Sequence, residues 1–343
     1  MRAHSWVVVS TRPPENACTT RRRTGWRSSS VMSMALLFHE RYHYLNWKRK
    51  AAEGNMRQET GRAVRVNGRT VHVEESGEGP DWVVFEAGQG LGRTSWDAVL
   101  PLLADRARLV AYDRAGFGRS GRTAACLDID DLAADLVAMV EAVVPDRFVL
   151  VAHSMGGLVA RRAAESLQPR LRGLLLVDPT PESAPVYDTF DQTAAKVDRA
   201  LSVTQQLVRF RPLARMASGN IRRVFPADTY ATMLAEDFVP DGIAQTRKEM
   251  RAVAAAIPRL RAEPPALPTC PTVLLSASRP AKGRAAQHAA IAEHQRRWID
   301  TLPDGRFEEV DAGHLLQAER PDTVADRVGH LLDRVPGRSA PPA

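Results

Sequence analysis

The stretch RFVLVAHSMGGLVARRAAE (147–165) limits the possible folds of this chain more than any other feature. A run of apolar residues ends at a small-x-Ser-x-Gly turn around Ser154, and a helical pattern begins at once. A sharp strand-to-helix turn strains its serine and exposes the hydroxyl above the sheet edge, and small neighbours such as Ala152 and Gly156 relieve the crowding. Ser154 is therefore either a candidate nucleophile or a serine in a tight connection. A nucleophile needs a base, an acid and oxyanion donors elsewhere in the chain.

Strand-like apolar runs and amphipathic helical patterns alternate from residue 81 onward. The runs lie in the stretches 81–88, 107–120, 148–151, 171–180, 271–278 and 306–314. Such alternation predicts an α/β fold with a mostly parallel central sheet and helices on both faces. Before it, Asn67-Gly68 stands between alternating valines, which predicts a hairpin that adds antiparallel strands at one edge.

The strand signal disappears between residues 183 and 268, where short helices are expected. Prolines at 212, 226, 240 and 258 are expected to interrupt them. An insertion after one strand predicts a helical lid over the carboxyl ends of the strands, where open α/β sheets place their sites. The predicted domains are a basic N-terminal extension (1–60), two segments of the core (61–182 and 269–338) and the lid between them (183–268).

The net charge of +7 comes entirely from the first segment of the chain. Residues 1–60 contain 11 basic and 4 acidic side chains, and the remaining residues contain 36 of each sign. The body of the protein therefore carries no overall charge that would favour nucleic acid. The segment is rich in Arg and Ser without periodicity, which is typical of a disordered tail or a transit peptide, and the disordered tail is favoured.

Two further absences bear on location. No apolar run reaches the roughly 18–20 residues of a membrane-spanning helix, so no integral membrane segment is expected. Three distant cysteines, Cys18, Cys126 and Cys270, argue against a disulfide framework. A cytoplasmic location is the resulting expectation.

Four motifs stand in one order along the chain, namely VVFEAGQG (83–90), YDRAGFGRS (112–120), AHSMGG (152–157) and DAGH (311–314). With them the chain resembles α/β-hydrolase fold proteins with a serine nucleophile, over roughly residues 63–335. The resemblance implies that His314 is the base for Ser154. It also implies that the N–H of Gln89 contributes to an oxyanion hole. The N–H of Met155, at the start of the new helix, is expected to be the second donor.

Gly88 and His153 lie beside these groups in the sequence and are expected to contact the substrate. The resemblance makes His153 a residue of the nucleophile turn rather than the base. Asp113 and Arg114 are expected to form a structural pair in their loop.

The acid departs from the commonest pattern of the family. In many relatives an aspartate follows the strand that corresponds to TVLLSAS (272–278), whereas here no carboxylate appears until Glu293. The chain resembles members that carry the acid at the end of the preceding strand, which points to Asp178. Glu182 and a later residue, Asp300 or Asp304, remain alternatives, since an aspartate before proline also serves simply to turn the chain.

The function expected from these residues is that of a serine esterase acting on a small-molecule carboxylic ester or lactone. Amide, thioester and carbon–carbon bond hydrolysis are compatible alternatives, and so is a ligand-binding protein without turnover. GQGLG (88–92) lacks the Lys-Ser/Thr of a phosphate loop, and no His/Cys cluster has metal-ligand spacing, so neither cofactor nor metal is expected. The sequence leaves the substrate and the oligomeric state open.

Overall fold

The computed structural model describes residues 61–334. The predicted extension (1–60) and residues 335–338 of the second core segment lie outside the described residues. The described strands form one eight-stranded sheet. They are β1 (Arg62–Val66), β2 (Arg69–Ser76), β3 (Asp81–Glu86), β4 (Ala107–Asp113), β5 (Phe148–His153), β6 (Leu171–Val177), β7 (Thr272–Ala277) and β8 (Gly305–Val310).

The sheet is mostly parallel, with one antiparallel edge. The strand order is β1-β2-β4-β3-β5-β6-β7-β8. The β1–β2 and β2–β4 pairs are antiparallel and the other pairs are parallel. Asn67 and Gly68 join β1 to β2 with φ values of 46° and 78°, the left-handed conformation that a two-residue hairpin turn needs. The predicted fold class and the predicted edge hairpin are confirmed.

Helices connect the parallel strands. The helices are α1 (Leu100–Leu103), α2 (Ile129–Val143), α3 (Gly156–Leu167), α4 (Phe190–Leu207), α5 (Arg211–Ala217), α6 (Gly219–Val224), α7 (Ala227–Glu236), α8 (Pro240–Ala262), α9 (Ala285–Ile299), α10 (Leu316–Glu319) and α11 (Pro321–Asp333). Two 3₁₀ helices span Arg93–Trp96 and Pro185–Tyr187. Among residues 61–334, no helix is both long and apolar enough to cross a membrane.

Both faces of the central strands are buried because side chains alternate along each strand. On one face, Leu150 of β5 belongs to a core cluster with Leu136 of α2 and Leu158 of α3. On the other face, Val149 belongs to a cluster with Val328 of α11. Strands buried in this way consist of continuous apolar residues, which explains the uninterrupted runs in the sequence.

Helices α4 to α8 lie between β6 and β7 in the chain and form a helical insertion. The insertion has a small core of its own, which includes Val208, Tyr230 and Ile243. The prediction that Pro258 interrupts a helix is wrong, because α8 continues through it. Pro258 is exposed and lies in the last two turns, so water can solvate the carbonyl that its missing N–H leaves free, while the helix buries Ile257 and Leu260.

Candidate active site

Ser154 lies in the sharp connection between β5 and α3. Its φ of 54° is in the left-handed region, a strained conformation for a residue with a side chain. The connection closes tightly because glycines follow it. A Cβ on Gly156 would come within 2.5 Å of the Ala87 carbonyl oxygen, and one on Gly157 within 2.7 Å of Pro179 Cβ. The strain at Ser154 therefore coincides with close packing against two neighbouring strand ends.

His314 lies in the loop between β8 and α10, and its ring faces Ser154. The distance from His314 Nε2 to Ser154 Oγ is 2.9 Å, although the two residues are 160 positions apart in the chain. The side chain of His314 is exposed and lines a cavity, so a ligand in that cavity would meet both groups.

Asp178 follows β6 directly and is buried. Its Oδ2 lies 2.6 Å from His314 Nδ1. Its Oδ1 accepts hydrogen bonds from the Ala277 N–H at 3.3 Å and from Gln295 Nε2 at 3.2 Å. Ser154, His314 and Asp178 are brought together because β5, β6 and β8 are parallel, and their carboxyl ends meet at one edge of the sheet.

The Asp178–His314 contact shifts the pKa values of both side chains. Desolvation disfavours the charged carboxylate, but the hydrogen bond and charge of His314 outweigh it and hold the pKa of Asp178 below its ordinary value. Desolvation likewise disfavours the imidazolium, but the hydrogen bond and charge of Asp178 raise the pKa of His314 above its ordinary value. Because a carboxylate has no proton to donate, Nδ1 of neutral His314 carries the proton and Nε2 is free to accept one from Ser154.

The alternative carboxylates lie in other contacts. Glu182 accepts hydrogen bonds from both terminal nitrogens of Arg161, at 2.7 and 2.9 Å, in a buried ion pair. Asp304 pairs with Arg334 at the surface, and Asp300 is exposed at the end of α9. The carboxylate that meets His314 is Asp178.

The two expected oxyanion donors are at the cavity. Gln89 and Met155 both line it, next to Ser154. The loop that carries Gln89 is fixed from behind by Arg114, which donates to the carbonyl oxygens of Ala87 at 2.7 Å and Gly88 at 2.8 Å. Neither the Gln89 N–H nor the Met155 N–H donates to an acceptor within residues 61–334.

His153 lies under the cavity rather than on its wall, and is buried. Its Nε2 donates to the His314 carbonyl oxygen at 2.8 Å, and burial followed by repulsion from His314 lowers its pKa to about 3. Neutral His153 therefore holds the backbone of His314 in place. Gly88 packs on the same ring, since a Cβ there would come within 2.5 Å of His153 Nδ1. The expectation that Gly88 and His153 contact substrate stays a prediction.

The cavity above Ser154 has a volume of about 650 Å³. The helical insertion supplies an apolar wall through Phe190, Met250 and Val253. Tyr187 of the preceding 3₁₀ helix and Ile291 of α9 complete it. This volume lies in the range of about 300–1,000 Å³ that is usual for small-molecule sites. Within the described part of the chain, no group of three or more His, Cys, Asp or Glu side chains is placed to hold a metal ion.

Sequence reasoning missed Gln295, a buried residue of α9. Its Nε2 donates to Asp178 Oδ1 and, at 2.7 Å, to the Pro179 carbonyl oxygen. Its Oε1 accepts a hydrogen bond from Ser276 at 2.7 Å. A single glutamine on a mixed helix carries no sequence signal for such a role, so only the contact identifies it.

The expected pairing of Asp113 with Arg114 is also wrong. Asp113 accepts from Arg93 Nη1 at 2.6 Å, whereas Arg114 pairs with Glu86 at 2.8 Å and with Glu249 at 2.7 Å. Adjacent residues at a strand end point to opposite sides, so each meets a different partner.

Parts of the chain are similar in sequence to known proteins. A matching stretch of 112 residues is 35% identical to the pimeloyl-[acyl-carrier protein] methyl ester esterase of Aeromonas hydrophila, covering 33% of this chain and 42% of the relative. Another stretch, of 141 residues, is 30% identical to the 2-hydroxy-6-oxo-2,4-heptadienoate hydrolase of Pseudomonas putida, covering 40% and 51%. The chain thus spans about half the length, or less, of these curated relatives.

Solved structures extend the likeness to most of the fold. The enol-lactonase of Burkholderia xenovorans LB400 superposes with a TM-score of 0.57 at 22% identity, covering 80% of this chain and 100% of the enol-lactonase. The model of the alpha/beta hydrolase family matches residues 83–327. Because that match covers well over half of the chain and includes Ser154, Asp178 and His314, the protein belongs to the alpha/beta hydrolase family.

Proposed function

We propose that this protein is a serine hydrolase that cleaves a small-molecule carboxylic ester or lactone through an acyl-enzyme. The observation that carries the proposal is the continuous path of hydrogen bonds from Ser154 Oγ through His314 to Asp178, with distances of 2.9 and 2.6 Å. The path ends on a hydroxyl in a strained turn at the floor of a cavity. In this proposal Ser154 is the nucleophile, His314 the base and Asp178 the acid.

In the first half of the reaction, Ser154 Oγ attacks the carbonyl carbon while His314 Nε2 takes the hydroxyl proton. The imidazolium that forms is stabilised by the charge of Asp178, which also keeps the ring in the required tautomer. His314 then gives its proton to the leaving alkoxide oxygen, the carbon–oxygen bond breaks, and the acyl group stays on Ser154.

The negative charge on the carbonyl oxygen is held by two backbone donors. The N–H groups of Gln89 and Met155 are proposed to donate to it, each contributing about 3 kcal/mol to transition-state stabilisation. Met155 immediately precedes α3, so the positive end of that helix dipole adds to the effect.

In the second half, water enters, His314 removes its proton, and the hydroxide attacks the acyl carbon. Ser154 leaves with the proton from His314, and a carboxylic acid is released. A lactone gives the same two steps, except that the leaving alkoxide stays attached to the acyl group. The names of two relatives, an esterase and an enol-lactonase, favour carbon–oxygen bonds as the target.

The same groups could hydrolyse an amide, a thioester or a carbon–carbon bond. The P. putida relative, named a 2-hydroxy-6-oxo-2,4-heptadienoate hydrolase, makes the carbon–carbon bond the second candidate. Steady-state kcat/KM values for matched esters, lactones, amides, thioesters and vinylogous 1,5-diketones distinguish these classes. The proposal requires the ester or lactone to have the highest value.

A fluorophosphonate probe tests the nucleophile directly. We expect covalent labelling of Ser154 in the folded protein, identified by peptide mass spectrometry, together with turnover of short p-nitrophenyl esters. Ser154→Ala should remove both signals while leaving the thermal unfolding transition in place. Absence of labelling and turnover in the folded wild-type protein would contradict catalysis and favour a ligand-binding protein on this fold.

A further inference from the structure

A cluster of arginines lies on the surface of the helical insertion. The segment VRFRPLARMASGNIRRVF (208–225) contains five arginines and no acidic residue, and all five are exposed. None of them forms an ion pair with a carboxylate among residues 61–334. We call this set the arginine patch, and its members are Arg209, Arg211, Arg215, Arg222 and Arg223.

Other arginines of the insertion do have acidic partners. Arg247 and Arg251 both pair with Asp198, and Arg261 pairs with Asp188. In the patch, by contrast, like charges stand close together in the chain, and Arg211 and Arg215 are four residues apart on α5. Like charges at this helical spacing repel each other. The patch therefore lacks a negative partner within the described chain, and an anion from outside would relieve the repulsion.

Exposed apolar side chains lie among these arginines. Phe210 is 64% exposed and Met216 is 69% exposed. The orientation of α5 explains this, because the helix buries Ala214, which packs in the cluster with Tyr230. Helix α6 buries none of its residues. The exposed positions of the segment 208–225 therefore combine positive charge with large apolar side chains.

We propose that the arginine patch, together with Phe210 and Met216, docks on an anionic phospholipid surface. The phosphates of lipid headgroups suit guanidinium groups, which bind them through paired hydrogen bonds. The apolar boundary directly beneath the headgroups accommodates the phenyl ring and the thioether, as in other basic, amphipathic surface segments. A nucleic acid or an acidic protein would neutralise the charges of the arginines. Neither would explain why two large apolar side chains, Phe210 and Met216, are exposed beside them.

The same insertion supplies part of the apolar wall of the cavity through Phe190 and Met250. Docking through the patch would hold the insertion at the lipid surface. The proposal concerns adsorption of the folded protein and does not depend on the proposed hydrolase activity.

Vesicle flotation of the full chain tests the proposal. We expect binding to vesicles of equal parts phosphatidylglycerol and phosphatidylcholine at about 50 mM salt, release at about 500 mM salt, and no binding to pure phosphatidylcholine. The variant R209Q/R211Q/R215Q should lower the partition coefficient about a hundredfold. The variant F210S/M216S, which keeps every charge, should lower it about tenfold.

The N-terminal segment is also basic and needs a matched control. The variant R21Q/R22Q/R23Q removes the same charge there and should lower the partition coefficient less than R209Q/R211Q/R215Q does. Turnover of a soluble ester should be the same in R209Q/R211Q/R215Q and in F210S/M216S, since none of these five residues is among the described residues that line the cavity.

Three outcomes would overturn the proposal. The first is a wild-type chain that does not bind the anionic vesicles, and the second is binding that follows R21Q/R22Q/R23Q rather than the patch. The third is a combination of two results: F210S/M216S binds the vesicles as the wild type does, and poly-glutamate or duplex DNA fully displaces the protein from them. That combination would make the patch a site for an acidic polymer instead.

Discussion

Arg114 and Glu249 form a buried ion pair, with Arg114 Nε donating to Glu249 Oε1 at 2.7 Å. Arg114 follows β4 in the core, whereas Glu249 lies on α8 of the insertion, 135 residues later. Oε2 of Glu249 also accepts a hydrogen bond from the Gly90 N–H at 3.0 Å. The pair therefore holds the loop of Gln89 through hydrogen bonds to the residues before and after Gln89, and it links the loop to the insertion.

Glu249→Gln should impair both stability and turnover. Glu249→Gln removes one of the two carboxylates that pair with buried Arg114 and leaves only Glu86 to balance the guanidinium, so we expect a loss of about 3 kcal/mol in the free energy of unfolding, measured in urea. Because the loop of Gln89 loses a fixed support, kcat for a p-nitrophenyl ester should fall about tenfold or more, with KM little changed.

The matched control is Asp333→Asn, which removes an exposed pair with Arg106. It should cost less than about 1 kcal/mol and leave kcat as it is. If Glu249→Gln had the kcat and stability of the wild type, the loop would not depend on this pair.

Asp178→Asn should lower kcat by about four orders of magnitude, because an amide at this position favours the wrong tautomer of His314. The variant should still unfold cooperatively on heating, since the amide oxygen can accept the Ala277 and Gln295 hydrogen bonds. Asp304→Asn, at the surface, should behave as the wild type. Near-normal turnover by Asp178→Asn would transfer the role of the acid to Glu182 or to a later carboxylate.

The pH profile of kcat/KM should have an acid limb governed by His314. Asp178 raises the pKa of His314 above its ordinary value of about 6.5. The ring is therefore protonated, and unable to accept the Ser154 proton, already at a pH above that value. As the pH falls through the raised pKa, the rate should drop tenfold per unit.

In Asp178→Asn the cause of the shift is gone, so the acid limb of the residual activity should move to lower pH. Measuring both profiles with a substrate that does not ionise in this range tests the assignment. A limb that stays at the same pH in the variant would show that another group controls it.

His153 should make the protein less stable in mild acid. Its pKa is about 3 in the folded state, mainly through burial, and about 6.5 when unfolded. Between these values the unfolded chain binds a proton that the folded chain does not, so the free energy of unfolding falls as the pH falls below 6.5. The slope is about 1.4 kcal/mol per pH unit.

His153→Gln keeps an N–H near the His314 carbonyl but does not titrate. As the pH falls from 6.5 to 5, the free energy of unfolding of the wild type should therefore decrease by about 2 kcal/mol relative to that of the variant. Urea titrations at pH 7, 6 and 5 measure it. A difference that is constant over this range would mean that folded His153 takes up the proton after all.

Much of the fold follows from local sequence. Apolar runs of strand length, such as the one before Ser154, are recognisable because strands covered on both faces must be apolar throughout. The Asn67-Gly68 turn is recognisable because few residue pairs adopt its backbone conformation. The proximity of Ser154 and His314 was also predictable, since both follow strands whose carboxyl ends share one edge of a parallel sheet.

The partners of these residues depend on contacts between distant parts of the chain. From sequence alone, Asp178, Glu182 and Asp304 were all eligible to meet His314, because an acid's role depends on which imidazole its carboxylate reaches. Pro258 was misjudged for a similar reason, since the packing of α8 outweighs its local preference.

Gln295 and Glu249 carried no signal in the sequence. Gln295 is 117 residues from Asp178, and Glu249 is 135 residues from Arg114. The sequence by itself determined the strands, the turns and the order of the motifs, because backbone conformation and burial leave a local pattern. Tertiary structure decided which charges and amides meet behind the cavity, because hydrogen bonds between distant segments depend on packing and leave no such pattern.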